Sequence, residues 1–379
     1  MLDLTALLAE GPVLFDGGLG TELQAMGLAP GVNPCAWNLS HPAEVRAVHR
    51  RYLAAGARII EANTFGANRL EFPAQWREVV TAGVRLAKEA IRLEGLEGQA
   101  FAALDIGPTG RMLEPFGELP LEEAIALFRE MVAAGAGEGA DLVTLETFTD
   151  TQEARAAVIA AKEAAPGLPL LCSLTFEANG RLLSGATPQA AAAILEGMGV
   201  QALGVNCGAG SERARQVLPG LLERARVPVI ANPNAGLPRM EDGRAVYDLS
   251  PEEFALQCEE LLRMGASLLG GCCGTAPAHI AALYARLEGK AVCPPRNDAE
   301  DCIASPREVI PLSQVDPEEL EEYDPEEPSF EPVKITGEQY DELEMRLRGY
   351  NGRVLVVAPE WARPLVEKYG GVLAGELGV

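Results

Sequence analysis

Ala202-Leu203-Gly204-Val205-Asn206-Cys207-Gly208, the amphipathic stretch that follows it, and Pro228-Val229-Ile230-Ala231-Asn232-Pro233-Asn234-Ala235-Gly236 form one strand-helix-strand unit. A run that is apolar throughout suits a parallel strand buried on both faces, whereas a strand with one wet face would alternate. The pattern recurs along the chain, with candidate strands at Val13–Asp16, Arg58–Asn63, Ala100–Asp105, Asp141–Glu146, Pro169–Thr175, Ala202–Asn206, Pro228–Asn232 and Ser267–Gly270. Eight such strands alternating with helices predict an α/β protein built on a (β/α)8 TIM barrel. Helix starts support the spacing. Ser250-Pro251-Glu252-Glu253 reads as a capping box with proline at the first helical position, and Thr187-Pro188 and Ser40-His41-Pro42 are related starts.

The pattern stops near Leu287. From Asp298 to Glu344 there are seventeen acidic residues against Arg307 and Lys334, a net of −15 out of −24 for all 379 residues. The expected organisation is a barrel over residues 1–290, an acidic, proline-rich linker or arm over 291–332, and a small terminal α/β unit over 333–379. In that unit Gly337 to Arg348 and Trp361 to Tyr369 read as helices, with Arg353–Val357 as a strand. So short a unit cannot build a large core alone, and it is expected to pack on the barrel or on a partner.

The acidic balance argues against a nucleic-acid surface and against anionic membranes. No run is long and apolar enough to span a bilayer, and Met1 to Gly11, with Asp3 and Glu10 and no basic flank, does not read as a secretory signal. Eight cysteines in such a chain are expected to be reduced, in the cytoplasm. Cys35, Cys172, Cys258, Cys293 and Cys302 have no motif around them and read as ordinary core or surface cysteines.

In a barrel of this type, catalytic residues lie at the C-terminal ends of the strands. Cys207 ends the sixth strand and Cys272-Cys273 follow the eighth, inside Gly270-Gly271-Cys272-Cys273-Gly274-Thr275. Zinc takes thiolates in tetrahedral geometry, and three of them leave one position open for a reacting group. Adjacent cysteines reach one metal only on an irregular turn, which the glycines permit. Buried inert thiols and a Cys272-Cys273 redox pair are the alternatives; the shared rim favours the metal. Other rim residues are Asp16-Gly17-Gly18, Asn63-Thr64, Asp105, Glu146-Thr147-Phe148 and Asn232-Pro233-Asn234. Glu146 suits an ammonium partner or a structural hydrogen bond, Asn234 a metal or a turn, and Asp16-Gly17-Gly18 a ligand loop or a tight turn.

Phe15-Asp16-Gly17-Gly18, Asn63-Thr64-Phe65-Gly66-Ala67, Asp105-Ile106-Gly107-Pro108-Thr109-Gly110, Glu146-Thr147-Phe148, Asn206-Cys207, Pro233-Asn234-Ala235-Gly236 and Gly270 to Thr275 occur in this order. The set resembles the homocysteine S-methyltransferases, closest to the homocysteine-binding domain of cobalamin-dependent methionine synthase, over roughly residues 10 to 287. The resemblance implies a zinc ion on Cys207, Cys272 and Cys273, with homocysteine sulfur as fourth ligand. It implies Glu146 as the receiver of the substrate ammonium, Asp16 and the backbone of Gly17 and Gly18 as a loop on the amino-acid end, and an oxygen of Asn234 on or near the metal before substrate binds.

The implied activity is methionine formation by a zinc-activated homocysteine thiolate attacking a donor methyl. The favoured donor is methylcobalamin or methyltetrahydrofolate, supplied by a separate methyl-carrying protein. The alternatives are a sulfonium or betaine donor used directly, and a non-catalytic homocysteine-binding subunit of a multi-protein methionine synthase. His41, His49 and His279 lie on or just before helices, away from the rim motifs, and the residues after the barrel are too few for a second barrel.

Overall fold

The eight apolar runs are eight parallel strands in the computed structural model, which describes residues 3–241, 244–296, 298–327 and 329–377. They are β1 (Val13–Leu14), β2 (Ile59–Glu61), β3 (Phe101–Ile106), β4 (Leu142–Phe148), β5 (Leu170–Leu174), β6 (Ala202–Cys207), β7 (Val229–Pro233) and β8 (Leu268–Leu269). Neighbours in sequence are neighbours in the sheet from β2 to β8, and β8 returns to β1 with Val13 opposite Leu268. The remaining seam, β1 against β2, is held by a Phe15–Ile59 bridge and by Arg58 N–H to Leu14 O at 2.8 Å. The outermost residues of the expected first and last units, Met1, Leu2, Gly378 and Val379, lie outside the described residues.

Strand periodicity divides the core into two layers. Val13, Phe15, Ile59, Phe101, Ala103, Leu142, Leu171, Ala202, Ile230 and Leu268 fill the barrel interior. Alternate residues such as Leu14, Ile60, Leu104, Val143 and Leu203 face the helices. A short helix unforeseen in the sequence, Leu4–Glu10, is capped by Asp3, whose side chain accepts from Ala6 N at 3.0 Å. Its Leu4, Leu7 and Leu8, one helical face, pack on the interior layer near the strand starts. Access to the interior is therefore from the opposite rim.

Ser250 and Glu253 form the expected capping box, and the Thr187 side chain accepts from Ala190 N. At the start of Pro42–Ala54 the cap position belongs to His41 and carries no side-chain cap. Ser40 Oγ bonds the His41 ring instead, at 2.8 Å. Among the described residues no helix is long and apolar enough to cross a membrane.

The acidic arm contains a hairpin. Cys302–Ala304 and Val309–Pro311 pair as an antiparallel hairpin. Cys302 and Ala304 pack on Ala193 and Ile194 of the helix Pro188–Gly197, while Ile303 packs with Leu355 and Val372. The apolar triplet Cys302-Ile303-Ala304, inconspicuous among so many acids, buries one residue outward and two inward as a strand must. Beyond it, Lys334–Thr336, Leu355–Val357 and Val372–Leu373 form a parallel three-stranded sheet with helices Tyr340–Gly349 and Arg363–Lys368.

This terminal unit packs on the barrel. Arg155, 1% exposed on the helix Thr151–Ala164, donates to Gly352 O at 3.0 Å, Leu347 O at 3.1 Å and Tyr369 O at 3.4 Å. Lys162 reaches Lys368 O at 2.8 Å, and Arg348 pairs with Glu122 and Glu163. Arg155→Ala leaves buried carbonyls without a donor, at a cost of about 3 kcal/mol or more. Hydrogen exchange should then accelerate across residues 340–377 before the barrel strands are affected; unchanged protection there would show that Arg155 does not anchor the unit.

Candidate metal and substrate site

Three sulfurs meet on the rim: the Sγ atoms of Cys207, Cys272 and Cys273 lie within 4.8 Å of one another. Cys207 turns inward because its backbone is left-handed, φ 60°. A non-glycine residue there is strained and is retained where the surroundings enforce it. The pair Cys272-Cys273 sits on an irregular turn, not a strand, with Gly274 at φ +80°. Cys272 N–H donates to Pro233 O at 3.0 Å and Ala235 N–H to Cys273 O at 3.0 Å, so β7 holds the turn from one side. Thr275 holds it from the other: its Oγ1 donates to Cys272 O at 2.7 Å and accepts from Gly18 N–H at 3.0 Å.

The roles of Gly17 and Gly18 follow from this packing. A Cβ on Gly17 would stand 2.5 Å from Thr275 Oγ1, and one on Gly18 2.8 Å from Cys272 O. Gly18 N–H is engaged by Thr275, which makes this loop a brace of the cysteine turn. Asp16, 1% exposed, accepts from Glu61 N–H at 3.1 Å through Oδ2, while its Oδ1 has no partner.

The neighbouring thiols of Cys207 and Cys272 push the Cys273 pKa down, with the Tyr247 hydroxyl adding to this, while Cys207 and Cys273 hold that of Cys272 well up. Three cysteine sulfurs this close together are a donor set suited to a soft cation. Tetrahedral zinc at ~2.3 Å from each sulfur needs sulfurs roughly 3.8 Å apart, which falls within the 4.8 Å that bounds this triad. Asn234 adds an oxygen: its Nδ2 donates to Gly208 O at 2.8 Å, leaving Oδ1 buried and unpartnered. These residues fit zinc.

Glu146, at the end of β4, accepts from Asn206 Nδ2 at 3.0 Å. The same amide donates to Thr147 Oγ1 at 2.7 Å and accepts from Thr147 N–H at 3.0 Å, fixing a second left-handed residue, φ 66°. Burial raises Glu146 to about 7, with the Cys273 charge adding to it. Three functional positions escaped the sequence reading. Asn206 is a positioning residue whose signal was its place one residue before Cys207. Glu61 sits within a predicted strand, and Tyr247, whose ring covers Gly274, belongs to a loop without a motif.

A cavity of about 1170 Å³, lined by none of these groups, lies between Met112, Phe116, Thr149 and Leu183 of the loops after β3, β4 and β5 and the C-terminal residues Phe330 and Met345. The terminal unit thus walls part of the active rim.

A barrel with a thiol triad and carboxylates on its catalytic rim has the makings of a metal-dependent enzyme of thiol chemistry. A family model, homocysteine S-methyltransferase, matches residues 13–287, and the chain belongs to this family of methyltransferase enzymes. The methionine synthase of Mycobacterium leprae (strain TN) is 32% identical over 336 residues, 82% of this chain and 28% of that protein. That of Mycobacterium tuberculosis (strain ATCC 25618 / H37Rv) is 32% identical over 295 residues, 73% of this chain and 25% of that protein. The chain thus spans about a quarter of the length of these relatives. The metallated form of the homocysteine methyltransferase MmuM from Escherichia coli superposes with a TM-score of 0.65 at 28% identity, covering 75% of this chain and 99% of that one.

Proposed function

We propose that this chain is a zinc-dependent homocysteine S-methyltransferase that produces methionine. The observation that carries this reading is the meeting of three cysteine sulfurs, from the ends of β6 and β8, within 4.8 Å on the rim that also bears Glu146. Cys207, Cys272 and Cys273 would hold the metal, with Asn234 Oδ1 as the neutral oxygen available before substrate binds. Bound there, zinc supplies a Lewis acid that brings a thiol of ordinary pKa ~8.5 into its thiolate form at neutral pH.

The chain's own residues bind and orient. Glu146 receives the homocysteine ammonium, and Asn206 fixes the carboxylate that does so. The Tyr247 hydroxyl favours the ionised form of Cys273. The helix Leu4–Glu10 covers the interior layer near the strand starts, so substrate and donor approach the same mouth. In the transfer step the homocysteine thiolate sulfur forms the new bond to the methyl carbon as the donor's bond to that carbon breaks, the leaving group keeping the electron pair.

The favoured donor is methylcobalamin or methyltetrahydrofolate carried by another protein or segment, in keeping with the similarity to methionine synthases. Zinc-loaded full chain incubated with homocysteine and, in parallel, methylcobalamin, methyltetrahydrofolate, S-methylmethionine, S-adenosylmethionine or betaine tests this. Methionine, measured by mass spectrometry, is expected with methylcobalamin. Methionine only with a sulfonium or betaine overturns the donor assignment, and none with any donor despite homocysteine binding overturns the enzymatic one.

A further inference from the structure

The ends of β2, β3 and β4 bring Glu146 together with two carboxylates to which the reading above gives no role. Glu61, Asp105 and Glu146 each place an oxygen within 4.8 Å of the other two. Asp16, just past β1, ties into this group by accepting the Glu61 N–H. Asp105 is 6% exposed and its Oδ1 has no hydrogen-bond partner, as is true of Asp16 Oδ1. A buried, unpartnered carboxylate oxygen is costly unless a proton or a cation meets it. Burial raises the pKa of all four groups, and mutual repulsion adds to this for Asp16, Glu61 and Asp105.

Three oxygens no more than 4.8 Å apart lie within about 2.8 Å of a common centre, which is the length of a charge-assisted N–H···O bond. A primary ammonium has three donors for three such oxygens. A neutral donor, the Asn206 amide, already fills another lone pair of Glu146. Glu61 and Glu146 are only partly buried, while Asp105 is buried.

We propose that Glu61 and Asp105 act with Glu146 as a three-carboxylate seat for the substrate's primary ammonium, so that the site selects an amino thiol over the same thiol without its amine. This rests on homocysteine being the substrate. Asp16 is a positioning residue that fixes the Glu61 backbone.

The test is calorimetry on the zinc-loaded full chain with two probes, homocysteine and 4-mercaptobutanoate, which is homocysteine without its amino group. The unaltered protein should prefer homocysteine by about a hundredfold or more, and Glu61→Gln or Asp105→Asn should each reduce that preference about tenfold or more. The loss should fall on homocysteine, with 4-mercaptobutanoate affinity and zinc content unchanged. A destabilised but otherwise ordinary site would weaken both probes alike. A folded, zinc-replete Glu61→Gln that keeps the full preference overturns the inference, as does equal affinity of the unaltered protein for both thiols, a readout that needs no variant. Failure of the unaltered protein to bind either thiol overturns the homocysteine reading itself.

Discussion

Replacing Cys207 with alanine leaves a folded protein that has lost its bound zinc and its homocysteine-dependent methyl transfer. Structural zinc binding releases about 10–16 kcal/mol through four ligands, so one sulfur is worth roughly 3 kcal/mol, and its loss weakens binding more than a hundredfold. Removing a merely supporting partner costs only about 10–100-fold. Folding should survive, because the barrel core is a separate layer of residues such as Leu203, Val205 and Ile230. Alanine keeps the left-handed backbone of position 207, φ 60°, so no new strain is introduced. Metal analysis after dialysis and a thermal melt check both halves. Full zinc occupancy in Cys207→Ala would remove this residue from the site.

Glu146→Gln weakens homocysteine binding by about 2 kcal/mol, roughly thirtyfold, with zinc retained, because it removes the charge from a charge-assisted hydrogen bond without changing its shape. A pH signature accompanies it. Burial holds the Glu146 carboxyl at about 7 against an ordinary 4.5. Its contribution to stability is therefore complete below 4.5 and is lost as pH rises through about 7. Ligand binding has the opposite sense, since an ammonium needs the ionised form and a proton must leave first below about 7. Between about pH 5.5 and 7 the homocysteine affinity of the unaltered protein should rise more steeply with pH than that of Glu146→Gln, by up to tenfold per unit. Parallel profiles by calorimetry would show that Glu146 does not meet the ammonium.

The barrel was legible because fully buried strands leave a plain signal: Ala202 to Cys207 and Pro228 to Asn232 are apolar to their last turn and then abruptly polar. The cysteine triad was legible for the same reason, since strand ends share a rim. What the sequence hid depends on side chains meeting across strands. Asn206 looks like an ordinary strand-end amide until its one carboxamide is seen to hold both Glu146 and Thr147. Glu61 looks like a polar residue in a strand, and only the closed curvature of β2, β3 and β4 brings it to Asp105 and Glu146. The hairpin Cys302–Pro311 was masked by its acidic neighbours, while Cys302, Ile303 and Ala304 do the packing. Arg155, on a helix otherwise rich in alanine, shows its purpose only when the terminal unit covers it with carbonyls.

X-ray absorption at the zinc edge, on the zinc-loaded full chain with and without homocysteine, addresses the central claim most directly. Three sulfurs and one oxygen or nitrogen should surround the metal alone, and four sulfurs once homocysteine is added, with proton release near neutral pH. A shell unchanged by saturating homocysteine, or one with fewer than three sulfurs from the start, would contradict the account.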